Sequence, residues 1–255
     1  MRAHVSKTIM SIEDAYATVF AGMTRQGPGS AGSTRKALSL LPPLPGTGTV
    51  LDLGSGTGAS TLVVADALDR PVLASDVNPA SLETLKKRAC TVGLENRIAT
   101  FLASADATGQ PEDSAALIWC EGAIFTVGVE AGLKHWHKLL KHGGVVAFTE
   151  MCWFGPERPA DAEAFLHVCY PPMTDAASLL ALCFACGYRL EAMFALPEAD
   201  WWDEYFAGLA PAVERHRNNP DPEVQSVIAI CDAERDIFRR FGTAYGYVFV
   251  ILSKV

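Results

Sequence analysis

The run Val50-Leu-Asp-Leu-Gly-Ser-Gly-Thr-Gly-Ala-Ser60 constrains this chain more than any other stretch. A β-type apolar segment enters three glycines at alternate positions, Gly54, Gly56 and Gly58, and a helical segment leaves them. Glycine permits a sharp turn and lets a ligand approach the backbone closely. In an open parallel sheet, this first strand-to-helix turn lies at the ligand-binding crevice. The spacing discriminates between ligands. A dinucleotide fingerprint runs G-x-G-x-x-G and rests its pyrophosphate on the helix N-terminus. Here the third glycine comes one residue early, and Asp52 sits inside the strand, two residues before Gly54.

Downstream, the apolar pattern switches repeatedly between strand and helix periods. Residues 49–53, 71–75, 98–102, 115–119 and 145–149 read as strands, the second ending at Asp76. Helices are expected over 60–68, over 81–92 with Gly93 behind it, and over 129–141, stopped by Gly143-Gly144. Ahead of the turn, Ser11 caps a helix reaching about Ala21, and Ser33 or Thr34 opens another into Leu41. The C-terminal third departs from the beat: a strand over 188–196, a Trp-rich segment, a long helix over 222–241 and a β-prone end over 245–252. Alternation at this spacing implies parallel pairing with right-handed crossovers. The fold class is α/β, doubly wound, with a mostly parallel seven-stranded sheet, an antiparallel last strand and helical lid insertions. The Pro-rich break Leu41–Gly48 divides a single domain into an N-terminal helical cap (1–40), a cofactor-binding core (41–150) and a core completion with substrate-side insertions (151–255).

Composition narrows the function classes. Apolar residues at 49% and charged residues at 20% suit a full core. No apolar run reaches the roughly 18 residues of a membrane helix, and Met1–Met10 lacks the apolar stretch of a secretory signal. A cytoplasmic chain with no membrane partner is expected. The net charge of −8 argues against a nucleic-acid partner. Seven scattered cysteines suggest reduced thiols. Cys183-Phe-Ala-Cys186 precedes Gly187, where a helix should end, and no second close pair completes a zinc site, so no metal is expected.

The acidic residue followed by G-x-G-x-G resembles motif I of the class I, Rossmann-like S-adenosylmethionine-dependent methyltransferases. The resemblance implies S-adenosyl-L-methionine as cofactor, leaving as S-adenosyl-L-homocysteine, with Asp52, Gly54, Ser55, Gly56 and Gly58 at the turn. Asp76, beside Val77, falls where the family binds ribose hydroxyls. Asp106 falls where an acidic residue takes the adenine amino group and an adjacent amide, that of Ala105, a ring nitrogen. Trp119-Cys-Glu-Gly-Ala123 falls on the loop facing the methionine half, with Glu121 near the sulfonium or the acceptor. This loop is not the Asn-Pro-Pro-Tyr or Asp-Pro-Pro-Tyr of enzymes that methylate nucleic-acid bases or glutamine. Ala116 departs from the Asp with which many relatives begin this strand.

The likeness extends beyond the core. Arg25-Gln-Gly-Pro-Gly-Ser30 with Thr34 and Lys36-Ala-Leu38, Glu121–Ile124, Trp153-Phe154, Glu157-Arg-Pro159 and Tyr245-Gly-Tyr247 resemble a bacterial branch of small-molecule methyltransferases. In that branch the Arg-Gln-Gly-Pro-Gly-Ser segment lies over the cofactor pocket, which implies that Arg25 pairs with the cofactor carboxylate and Ser30 bonds it.

Methyl transfer from a sulfonium is an in-line displacement that chiefly needs alignment and exclusion of water. A general base is required only when the acceptor arrives protonated. Glu121, Glu150 and Tyr16 are the catalytic candidates, with Tyr170 also in a segment that could cover the site. The segment Trp201–Phe206 suits either an acceptor wall or a helix-packing core. The acceptor is an unidentified small molecule, and the sequence sets no oligomeric state. Two alternatives remain: a non-catalytic nucleoside-binding regulatory protein, and a nicotinamide-dependent oxidoreductase, which the glycine spacing disfavours.

Overall fold

The computed structural model describes residues 10–171 and 173–255. Ser11 accepts a hydrogen bond from Asp14 N and opens α1 (Ile12–Val19), whose acidic first turn suits the helix dipole. Ser30 accepts from Ser33 N and opens α2 (Ala31–Ser39). This helix therefore starts at Ser30 rather than at Ser33 or Thr34, both of which are buried inside it.

The alternating stretch follows as β1 (Thr49–Leu53), α3 (Ala59–Ala67), β2 (Val72–Asp76), α4 (Pro79–Thr91), β3 (Ile98–Leu102), β4 (Ala115–Cys120), α5 (Val129–Leu139) and β5 (Leu140–Trp153). Asn78 caps α4 and Pro79 sits in its first turn, where a missing N–H costs nothing. The C-terminal third supplies α6 (Ala160–Cys169), the short β6 (Thr174–Asp175), α7 (Ala176–Ala185), β7 (Tyr188–Ala195), α8 (Ala207–His216), α9 (Pro222–Phe241) and β8 (Tyr245–Lys254).

The sheet has eight strands in the order β3-β2-β1-β4-β5-β8-β7, with β6 beside β5 off that path. Pairing is parallel from β3 to β5, and β8 runs antiparallel to both β5 and β7. The chain winds outward from β1 to β2 and β3, then crosses back to β4. The crevice above the carboxyl ends of β1 and β4 is thus the topological switch point, where open α/β sheets bind ligands. All of β4 is buried, as a parallel strand covered on both faces should be.

Strand β5 differs from the sequence expectation at both ends. Gly143-Gly144 does not precede it but lies inside it, across an irregular register with Ala115–Leu117. Its far end continues to Trp153, because Glu150–Trp153 find backbone partners in Tyr245–Val248 of β8.

Three apolar clusters hold the molecule. Leu53, Cys120, Phe148 and Val250 pack one sheet face against α5 and α7. Val50, Trp119, Ala147 and Phe249 pack the other against α2 and α3. The third cluster joins α1, α6, α8 and α9 over the far end of β5. Trp201 is its centre, 1% exposed and stacked on Phe238 at 4.0 Å with an interplanar angle of 15°. Of the two uses open to Trp201–Phe206, the packed core is the one realised: a π-helical turn over Asp200–Phe206 leads into α8 and buries Trp201, Tyr205 and Phe206. Cys183 is buried near the end of α7, and both it and Cys186 are free thiols. No helix among the described residues is long and apolar enough to cross a membrane.

Replacing Trp201 by alanine removes the centre of the third cluster. The expected loss is roughly 3–5 kcal/mol of unfolding free energy, typical of a buried aromatic cut to alanine. Urea unfolding of wild type and Trp201→Ala checks this, and a change below about 1 kcal/mol contradicts it.

Candidate active site

The turn after β1 is built on positive φ at Gly54, Gly56 and Gly58. A Cβ on Gly54 would lie 2.3 Å from the Ala123 Cβ, so glycine is what lets this turn meet the loop after β4. A Cβ on Gly58 would lie 2.2 Å from Leu85, so glycine also lets α3 dock against α4. The result is a cavity of about 190 Å³, walled by Gly54–Thr57, Asp76 and Glu121–Ala123 and roofed by Thr24–Pro28.

Asp76 ends β2 at this cavity. Its Oδ2 accepts from Gly56 N at 2.8 Å and its Oδ1 from Asn78 N at 2.8 Å. The carboxylate therefore ties the glycine turn to the start of α4, and each oxygen keeps a further lone pair. Ser55 contributes a buried hydroxyl to the same wall, with no hydrogen-bond partner among the described residues. The backbone of Ala103 donates to the Asp76 carbonyl, which brings the 103–106 loop alongside. In that loop Asp106 is exposed and accepts from Ser104, while Ala105 is buried with its carbonyl accepting from Trp136 Nε1 at 2.8 Å. Val77, next to Asp76, is 68% exposed.

Asp52 lies beneath the turn rather than in the cavity wall. It is wholly buried, and its Oδ2 accepts from Thr61 Oγ1 at 2.6 Å and Ser60 Oγ at 3.4 Å. It braces the first turn of α3. Burial pushes its carboxyl up to about 7. Gly58, likewise, serves the helix packing and does not line the cavity.

The roof is anchored by Glu121. Arg25 Nη1 donates to its Oε2 at 2.9 Å, and Thr34 Oγ1 and Trp119 Nε1 donate to its Oε1 at 2.7 and 2.9 Å. The two charged side chains are 12% and 6% exposed. Removing one partner of such a buried pair typically costs about 3–5 kcal/mol. Glu121 is thus a tie between the N-terminal segment and β4, its oxygens already engaged, and not a free proton acceptor. Arg25 is committed to it through one N–H, while a guanidinium has five, and Arg25 also lines the cavity. Ser30 does not line it, because its hydroxyl caps α2.

Two fastenings had no sequence signal. Arg88 of α4 reaches across to Thr57 O at 2.8 Å and Thr24 O at 3.0 Å, and Ser33 Oγ donates to the buried Asp200 carboxylate at 2.5 Å. Both fix the roof by contacts distant in the chain, which residue patterning does not encode.

The remaining catalytic candidates are not brought together. Side chains alternate along a strand. Glu150 shares its face of β5 with Phe148 and Cys152, toward α5 and α7, whereas Glu121 bonds Trp119 and Thr34 on the opposite face. Glu150 is buried, its Oε1 accepting from the Tyr170 hydroxyl, and burial pushes its carboxyl up to about 7. Tyr16 packs on α1 beside Phe20 at 5.8 Å and lines neither this cavity nor the one beside Glu150; burial pushes its hydroxyl up to about 12.

With this geometry in view, residues 50–144 match the family model described as a methyltransferase domain. The chain is similar to dimethylglycine N-methyltransferase of Parasynechococcus marenigrum (strain WH8102), 34% identical over 114 residues, which is 44% of this chain and 41% of that protein. It is also similar to ribosomal protein L11 methyltransferase of Rhodopseudomonas palustris (strain BisB5), 36% identical over 100 residues, covering 38% and 32% of the two chains. The match thus spans less than half the length of either relative. A solved SAM-dependent methyltransferase from Geobacter sulfurreducens, in complex with S-adenosyl-L-homocysteine, superposes with a TM-score of 0.76 at 21% identity, over 95% of this chain and 98% of that one. The fold is therefore the Rossmann-like methyltransferase fold.

Asp52 supplies a pH test. Its folded pKa lies above the unfolded value of 3.8, so the folded state binds the extra proton between about 4 and 7. Its contribution favours folding at low pH and is lost as the pH rises through 7. Asp52→Asn should therefore gain stability relative to wild type between pH 5 and pH 8. Urea midpoints at the two pH values measure it, and a difference that stays constant contradicts the assignment.

Proposed function

We propose that this chain transfers a methyl group from S-adenosyl-L-methionine to a small-molecule acceptor. The observation that carries the reading is the Asp76 carboxylate, which bridges Gly56 N and Asn78 N at a cavity and keeps free lone pairs toward it. Two adjacent acceptor oxygens at the end of the second strand match the paired hydroxyls of a ribose.

The other residues present suit the same ligand. The buried Ser55 hydroxyl without a partner is the kind of polar group that a bound molecule satisfies. The backbone of Gly54–Gly56 offers close approach, and the uncommitted N–H groups of Arg25 suit an amino-acid carboxylate. Asp106, with the Ala105 amide, suits the edge of an adenine, and Val77 suits its face. Glu121 holds Arg25 and the roof in position. When bound, S-adenosyl-L-methionine supplies a methyl group activated by its sulfonium. The protein's part is to hold donor and acceptor in line and to exclude water.

A small acceptor is supported by the net charge of −8 and by the Cys-Glu-Gly-Ala loop. Of the curated relatives, one is named for a small-molecule acceptor and the other for a protein. A cytoplasmic setting is supported by seven cysteines that are all free thiols.

Asp76→Ala should weaken S-adenosyl-L-homocysteine binding by roughly 10–100-fold, as expected when about 1.5–3 kcal/mol of charge-assisted hydrogen bonding is lost. Calorimetric titration measures the affinity, and circular dichroism should show the fold retained although the ties to Gly56 N and Asn78 N are lost. Unchanged affinity removes Asp76 from the ribose role.

A further inference from the structure

On the opposite face of the sheet from Glu121 lies a second cavity, of about 580 Å³. Phe125, Leu179 and Leu182 give it apolar walls, and Glu150 and Tyr170 give it a polar one. Glu150 is only 5% exposed. One of its oxygens accepts from Tyr170, and the other, Oε2, has no hydrogen-bond partner among the described residues. Buried carboxylate oxygens are nearly always satisfied, so an orphan beside a cavity marks a place where a ligand brings the donor.

The charge pattern selects the kind of donor. Glu130 and Lys134, also at this cavity, pair with each other at 2.6 Å and are well exposed. The titratable neighbours Tyr170, Cys152, Cys120 and Tyr247 all have their pKa pushed up, chiefly by burial, and stay neutral near pH 7. Among the described residues at this cavity, Glu150 is left as the acidic group without a charged partner, and a cationic ligand would draw its carboxyl into the charged form. An anionic ligand is disfavoured, and one with a cationic or N–H head is favoured.

One loop, residues 121–128, contributes walls to both cavities: Glu121–Ala123 face the cavity of Asp76, and Phe125 and Gly128 face that of Glu150. Gly122 N donates to Thr149 Oγ1 at 2.7 Å, which fixes this loop beside Glu150.

We propose that the second cavity binds the methyl acceptor, and that the acceptor is an amine whose nitrogen donates to Glu150 Oε2 while its apolar body lies on Phe125, Leu179 and Leu182. The inference rests on the methyl-transfer reading above. As the nitrogen lone pair bonds to the methyl carbon, the carbon–sulfur bond breaks onto sulfur. Before that step the bound ammonium passes one proton to Glu150 Oε2, which frees the lone pair, and the methylated nitrogen leaves as an ammonium. Tyr170 positions that carboxylate.

The test titrates the whole chain, with and without S-adenosyl-L-homocysteine, with benzylammonium, benzyl alcohol and benzoate. Benzylammonium should bind wild type better than either analogue and at least tenfold less tightly to Glu150→Gln. The Gln variant keeps an oxygen for Tyr170. Leu182→Trp, which fills the cavity from α7, should also abolish amine binding. Both variants should bind S-adenosyl-L-homocysteine as wild type does. A crystal structure of the ternary complex should place the nitrogen between Glu150 and the donor sulfur. No benzylammonium binding to wild type, equal binding to both variants, or a nitrogen walled off from the sulfur by residues 121–128 overturns the proposal. Failure of S-adenosyl-L-homocysteine to bind any of the proteins, with amine binding as stated, sinks the methyl-transfer reading instead.

Discussion

A charged carboxylate taken out of water must be matched where it lands, and Glu121 is matched by a residue nearly a hundred positions earlier in the chain. Arg25, Thr34 and Trp119 together satisfy it, and two of those three belong to the N-terminal segment. The chain before β1 is therefore drawn back over the glycine turn. The turn would otherwise be an open lip of the sheet. With the roof in place it becomes a cavity with Asp76 on its wall. Breaking such a pair costs about 3–5 kcal/mol, which is a large share of the 5–15 kcal/mol that keeps a typical domain folded. Arg88 repeats the fastening from α4 through backbone carbonyls on both the turn and the roof.

The glycine turn and the strand–helix alternation were legible in the sequence because both are local. A positive φ needs glycine whatever surrounds it, and periodicity reports burial within one element. Asp76 was legible for the same reason, as the residue that ends β2. The readings that shifted turn on which partner a group meets in the folded chain. β5 continues past Thr149 because β8 supplies its hydrogen bonds, and the β-prone pattern over 245–252 does not say how far along β5 its pairing runs. Arg25 and Ser30 were read by analogy as ligands for a carboxylate, but Arg25 first serves Glu121 and Ser30 first serves the N-terminus of α2. Asp52 belongs with them: one position along a strand decides whether a side chain meets the cavity or the core, and this one meets α3.

The same alternation separates the two acidic candidates. Glu121, just after β4, and Glu150, within the neighbouring β5, point through opposite faces of the sheet, and their surroundings give them different chemistry. Glu121 meets a guanidinium and two neutral donors, so it holds structure. Glu150 meets one phenol, and burial pushes its carboxyl up toward neutrality. A carboxyl poised near pH 7 with a free oxygen at a cavity is suited to exchange a proton. The proposed reading divides the labour between the faces, the donor on one and the acceptor on the other.

The account stands on Asp76 as the point where the donor is gripped. A crystal structure of the whole chain grown with S-adenosyl-L-homocysteine tests that most directly. The account predicts both ribose hydroxyls within hydrogen-bond distance of the Asp76 carboxylate, with the amino-acid end beneath Arg25. A nucleoside bound elsewhere, or bound here with its ribose turned away from Asp76, would contradict it.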